Sequence, residues 1–253
     1  MMRARIVSAA HGARWLLEGW NLFRAAPFAW LALLLAYWLL MTLVSLVPFL
    51  GVAVASIVVP AFSVGFMSAA RAASLRANVE LSLLFEGFRH ALRAQLLLGA
   101  VYLVCLALVL GGSALADEGA LARWMLTGRR PANEVLQSDD FLAALACAAA
   151  LYAPVTMMFW FAPPLAAWHS ASPPKALFYS FFACLMNWRA FVAYGAAAAL
   201  VTLVLPFIVV VTLRSVIGGA SFAWLAFPLL GVLLPTLFAS FYASYRDVFA
   251  SAE

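Results

Sequence analysis

No charged residue interrupts the chain between Leu96 and Leu115, and that run limits the fold more than any other feature. About 20 apolar residues wound as an α-helix match the roughly 30 Å hydrocarbon core of a bilayer. In lipid, a helix also satisfies its own backbone donors and acceptors, which few other folds achieve. The residues just before the run are two-faced. Leu81, Leu84, Phe85, Phe88 and Leu92 recur at helical spacing, while Ser82, Glu86, Arg89, His90 and Arg93 occupy the other face. The stretch therefore predicts an interfacial helix over Leu81–Arg93 that leads into a membrane span.

Composition extends this reading to the whole chain. Charged residues make up 10% and hydrophobic ones 67%, against about 25% charged in a soluble domain. A chain of 253 residues has room for about six spans with short connections. The expected fold is all-α: a polytopic membrane protein with six transmembrane helices arranged as three hairpins, each preceded by an amphipathic interfacial helix. The spans fall near residues 28–47, 52–70, 94–115, 141–162, 191–213 and 222–245. Pro60, Pro154, Pro228 and Pro235 lie inside them and predict kinks. Gly111-Gly112 and Gly218-Gly219 read as turns at span ends, and Gly99 and Gly195 as points of close helix approach. The first apolar run, from about Pro27, is too long for a signal-peptide core and has no suitable cleavage site.

The net charge of +5 does not indicate nucleic acid, because the basic residues flank apolar spans instead of forming one face. All Lys and Arg except Arg123, Arg129, Arg130 and Arg214 fall on one side of the predicted topology. Positive-inside bias makes that side cytoplasmic and places both termini there, in a bacterial inner membrane. Membrane lipids are the expected partners, since cations beside amphipathic helices attract anionic headgroups.

The chain also reads as three parallel units, 1–76, 77–171 and 172–253. Leu16-Leu17-Glu18-Gly19-Trp20 and Leu84-Phe85-Glu86-Gly87-Phe88 share one pattern, and Leu177-Phe178-Tyr179-Ser180-Phe181 keeps its aromatic part. Pro60 precedes Arg71 by the same interval as Pro235 precedes Arg246.

Few residues carry recognisable chemistry. No Asp, Glu, Lys or Arg lies near the middle of a predicted span, which argues against a proton-driven pump. No metalloprotease HExxH, GxSxG elbow, phosphate loop or Ser-His-Asp spacing occurs. No catalytic residue, cofactor or metal is therefore assigned. His11, His90 and His169 map to one interface with no second ligand at a recognised spacing, so they read as solvated or capping. Cys105, Cys147 and Cys184 read as small packed hydrophobes. Asp139-Asp140 suits the start of a helix. Arg246, Asp247 and Glu253 are expected to end the chain in water. The polar positions that stand out are Arg14, Glu18, Glu86, Arg89 and His90. Spacing pairs Glu18 with Arg14, and Glu86 with His90 or Arg89, as local bridges that fix helix tilt. The alternative is a pair of carboxylates at a site on the pseudo-axis.

Two stretches carry a resemblance. Ala9-Ala10-His11-Gly12, with Trp15, Glu18-Gly19 and Phe23-Arg24 through Pro27, is one; Val64-Gly65-Phe66-Met67 through Arg71 is the other. Together they resemble a family of multi-pass inner-membrane proteins of proteobacteria. More distantly, the layout is similar to the membrane domains attached to some glycerophosphodiester phosphodiesterases. The resemblance implies six membrane helices and no activity, because the phosphodiesterase domain itself is not represented in these residues. The expected role is non-enzymatic, as a scaffold or in envelope and lipid homeostasis. The alternative is a transporter or channel for a small or lipidic solute.

Overall fold

The computed structural model describes residues 4–47, 51–204, 206–208, 211–212 and 223–249, without the side chains of 52 and 223–227. Proline placement sets the first boundary. Ala26 precedes Pro27 and is forced out of the helical region, to φ −151°. Helix α1 (Ala9–Ala25) therefore stops there, and α2 (Pro27–Ser45) starts with the proline in its first turn. Helix α3 (Gly51–Ser74) carries Pro60 internally. A 3-10 turn, Leu81–Phe85, and the short α4 (Glu86–His90) come next. They lead into α5 (Leu92–Asp117), which runs straight through Gly111 and Gly112. Those two glycines are thus inside a span and not at a turn.

Two short helices, α6 (Ala120–Thr127) and α7 (Asn133–Leu136), cap the far end of the bundle. Helix α8 (Asp139–Trp160) returns through it, with Ser138 as N-cap accepting from the Phe141 N–H. The chain bends at Phe161 into α9 (Ala162–Trp168), which opens on Pro163-Pro164. Then follow α10 (Pro173–Met186), α11 (Trp188–Ala199) with a π-helical continuation at Leu200–Val204, and α12 (Ala223–Phe249). Among the described residues six helical stretches are long and apolar enough to cross a membrane. The architecture is an all-α polytopic membrane protein. The predicted turn at Gly218-Gly219 lies outside the described residues.

The segment at 81–93 differs from expectation. It is two short pieces broken at Ala91 (φ −146°), not one continuous helix. Its backbone is drawn hard onto α3: a Cβ on Gly65 would stand 2.3 Å from the Leu84 carbonyl oxygen, and one on Gly87 2.4 Å from that of Ala61. Docking against a neighbour, not the apolar stripe, shapes this segment.

The helix faces also turn out differently. Along α10 the buried residues are Ala176, Ser180, Ala183 and Cys184. The large apolar side chains Phe178, Phe182 and Leu185, expected on the inward face of an amphipathic helix, point outward, with Phe178 59% exposed. Lipid tails are as apolar as phenylalanine, so burying large side chains drives little association there; small residues that let backbones approach do more. Helix α1 follows the same rule. It is wedged between α11 and α12, where Cβ atoms on Gly12 and Gly19 would stand 2.0 Å from the Ala190 carbonyl oxygen and 2.3 Å from that of Thr236.

The remaining contacts order the bundle. Helix α2 packs on α3, α3 on α5, and α5 on α8, while α12 packs on both α3 and α1. Helix α10 docks on α8. The backbones of α8 and α11, by contrast, scarcely meet.

Candidate functional site

Three groups of polar or open features gather around α8, α11 and α12. The first is a polar junction at the Arg-rich end. Asp247, near the end of α12, accepts from the Trp15 indole N–H at 2.8 Å and faces Nδ1 of His11 at 2.9 Å. Its backbone carbonyl accepts two bonds from the Arg5 guanidinium, at 3.0 and 2.7 Å. One turn further along α1, Glu18 pairs with Arg246. Asn187, at the α10–α11 joint, accepts from the Val7 N–H at 2.7 Å and donates to the Arg5 and Ala183 carbonyls at 2.9 Å each. The N-terminal segment is thereby fastened across α10, α11 and α12.

This junction corrects two expectations. Glu18 does not bridge to Arg14, which is exposed and makes no ion pair among the described residues. A contact between helices has replaced the one along the helix, because α1 turns Glu18 toward α12. Burial raises the Glu18 carboxyl above its ordinary value of 4.5, against the lowering pull of Arg246. Nor do Arg246 and Asp247 sit free in water; both hold α1. The equal proline-to-arginine interval was the sequence signal that marked this end of α12, but periodicity says nothing of its partners. Asn187, 1% exposed, had no signal beyond lying at a predicted interface.

The other predicted positions stay local. Glu86 bridges to His90 at 3.2 Å, one of the two partners its spacing offered, and Arg89 is exposed. No hydrogen bond or ion pair among the described residues joins the Glu86 group to the Glu18 group. The three histidines are spread out, each with its own partner: Asp247 for His11, Glu86 for His90, and the Tyr245 hydroxyl at 2.6 Å for His169. Burial lowers His169 below its ordinary value of 6.5. Among the described residues no cluster of His, Cys, Asp and Glu has the makeup of a metal site. Asp117, Glu118, Glu134 and Asp140 line a hollow at the far end. There the Asp117 carboxylate caps the Gly119 and Leu121 N–H groups at 2.9 and 2.7 Å.

The second feature is a cavity of about 160 Å³ bounded by α3, α5, α8, α9 and α12. Pro60, Ser63, Tyr102, Tyr152, Thr156 and Phe241 are among its walls. The Tyr102 and Tyr152 hydroxyls bond at 2.9 Å. Tyr102 lies ten residues into α5, so about 15 Å along its axis and near the middle of the span. Pro163, also in the wall, accepts through its carbonyl from the Gln95 amide at 2.9 Å. Gln95 is fully buried, and its side-chain oxygen has no partner among the described residues.

The third feature is the largest. Where α8 stands off from α11, a crevice of about 420 Å³ opens. Its α8 wall carries Ala153, Thr156, Met157 and Trp160; its α11 wall carries Trp188, Phe191, Val192, Tyr194 and Gly195; Cys184 of α10 also lines it. This is within the size range of small-molecule pockets and nearly all apolar. Trp160 and Thr156 border both the crevice and the cavity. The Trp160 ring is fixed by its N–H bond to Ser244 at 3.1 Å and by edge contacts with Phe191 and Phe241. Gly195, read from sequence as a packing glycine, meets nothing within 4 Å of its Cβ position and lines open space. Gly99 does pack as expected, its Cβ position 2.0 Å from the Ile57 carbonyl oxygen.

No family model and no solved structure matches the chain. One curated relative does, along nearly its whole length. The two are 40% identical over 254 residues, covering 98% of this chain and 94% of the relative, which is named Probable inner membrane protein and comes from Burkholderia thailandensis. With six apolar helices of membrane-spanning length and a relative that similar end to end, the chain belongs to the same family of inner-membrane proteins.

Proposed function

We propose that the protein is a non-enzymatic, lipid-binding component of the inner membrane that serves envelope and lipid homeostasis. The observation that carries this reading is the crevice between α8 and α11. It lies between two candidate spans, so acyl chains are its immediate solvent. Its walls are almost wholly apolar, and its lip residues Trp188 and Val192 are 55% and 62% exposed. The likeness to phosphodiesterase membrane domains adds no activity to this reading.

Native mass spectrometry of the purified full chain tests it. The expected spectrum shows phospholipid retained at a fixed ratio after mild detergent extraction. Complete delipidation at low detergent activation, or lipid hydrolysis by the purified chain that a point change abolishes, overturns it.

A second reading, passage of a small or lipidic solute, is favoured by the cavity lined in part by the proline-bearing helices α3, α8 and α12, with its tyrosine hydroxyls near mid-span. On the reading of three parallel units, α3, α8 and α12 are the second spans of each, and all three contribute to the cavity wall. Proteoliposomes with fluorescent lipid in one leaflet separate the two readings. Lipid scrambling well above that of empty vesicles favours passage; its absence beside retained lipid favours binding alone.

A further inference from the structure

We infer that the crevice is a site for one anionic glycerophospholipid of the leaflet at the Arg-rich end, with its phosphate on Arg189 and an acyl chain lying between α8 and α11. The inference rests on the lipid-binding reading and adds leaflet, orientation and headgroup class to it.

Geometry gives the orientation. The crevice residues on α11 run from Trp188, the first residue of the helix, to Gly195. Seven residues of helix are about 10 Å, so the groove starts at the membrane edge and descends toward mid-bilayer. On α8 it runs from Ala153 up to Trp160, the last residue of that helix. At that end the Trp160 ring lies against Phe191 and Tyr194, within two turns of the joint where α10 meets α11. An acyl chain entering from that edge fits the groove's direction; one from the opposite leaflet does not.

Charge gives the headgroup. Arg189 is exposed beside the mouth, and its guanidinium carbon stands 5.5 Å from the centre of the Trp188 ring. Trp188 is itself a groove residue. Among the described residues Arg189 has no carboxylate partner; the ion pairs there are His11–Asp247, His90–Glu86 and Arg246–Glu18. A cation held over an aromatic ring, without an ion-pair partner among the described residues, at the mouth of an apolar groove is suited to a phosphodiester. An anionic headgroup suits it better than a zwitterionic one, whose ammonium adds a second positive charge.

Packing explains why the groove is here. Helices α3 and α5 close on each other through Gly99, and α5 closes on α8. Gly195 brings no such contact to α8 and α11, so lipid fills the gap there.

The test uses the full chain in detergent with equimolar phosphatidylglycerol and phosphatidylethanolamine, read by native mass spectrometry. Wild type is expected to retain mainly phosphatidylglycerol. Arg189→Gln should lower that retention about fivefold, the share of one cation at an anionic headgroup. Gly195→Leu, and independently Val192→Trp at the lip, should lower retention of both lipids. Loss with the two groove variants but an unchanged lipid ratio in Arg189→Gln overturns the headgroup assignment and leaves the lipid-binding reading standing. Full retention in both groove variants, each with wild-type melting, overturns both.

Discussion

Gly99 and Gly195 invite the same substitution and predict opposite results. Both are helical and face a neighbouring span. At Gly99 a Cβ would sit 2.0 Å from the Ile57 carbonyl oxygen, where ordinary contact begins at 3.4 Å. The obstacle is backbone, so α3 and α5 must part by about 1.4 Å along that line. A gap of even 0.5–1 Å forfeits roughly a quarter to a half of the dispersion attraction between facing atoms. Overpacking of this kind costs about 1–3 kcal/mol, and the better helix propensity of alanine offsets up to about 1 kcal/mol of it. Gly99→Ala should therefore lose about 1–2 kcal/mol. At Gly195 only the propensity term applies, because nothing lies within 4 Å. Gly195→Ala should gain up to about 1 kcal/mol. With roughly 2–4 °C per kcal/mol for a chain of this size, the two variants should differ in apparent melting temperature by several degrees, on opposite sides of wild type. The assay is heating in one detergent at one scan rate, followed by size-exclusion detection of the surviving monodisperse protein. A shared gain would show that the α3–α5 contact is not tight, a shared loss that the crevice is not open, and either would refute the packing argument.

Other predictions concern the junction and the cysteines. Asp247→Ala leaves the fully buried Trp15 indole N–H without an acceptor. It should destabilise by about 1–3 kcal/mol and speed tryptic cleavage at Arg14, while Asp247→Asn, which keeps an acceptor, should do less. Glu18 contributes a pH dependence of definite sign. Its carboxyl is raised in the folded protein, so the folded state holds that proton more tightly than the unfolded one. Stability from this group falls as pH rises from 4.5 through its raised value, and Glu18→Gln should flatten the melting profile across that window. Cys184 is 3% exposed, and burial pushes its thiol upward, so a hydrophilic maleimide should leave it unlabelled in native membranes and label it in SDS. The two mapped ends of the chain meet at one face, where the Arg5 N–H bonds to the Val248 carbonyl. A fluorescent protein fused after Glu253 should glow in the cytoplasm, and an alkaline phosphatase fusion there should stay inactive.

The resemblance read from Ala9–Pro27 and Val64–Arg71 agrees with a relative named Probable inner membrane protein. Span number and class were legible because each span is a local property: a charge-free run long enough for the hydrocarbon core specifies a helix without reference to any neighbour. Proline positions were equally direct: Pro27 opens α2, and Pro60, Pro154, Pro228 and Pro235 lie inside long helices where the sequence put them. Glu86–His90 was legible for the same reason, being one turn of one helix.

The partners of Glu18, Asp247 and Asn187 were not legible, because they lie 180 or more residues away and depend on α1 lodging between α11 and α12. The inward faces were also hidden. In water an apolar stripe points to the core, but in a bilayer the phenylalanines of α10 gain nothing by turning inward, and close backbone approach selects Ala176, Ser180 and Ala183 instead. Sequence alone therefore determined that this chain crosses a membrane six times. Only the tertiary structure decided that α8 and α11 stand apart, since a gap between helices depends on how all of them pack and is written in no single segment.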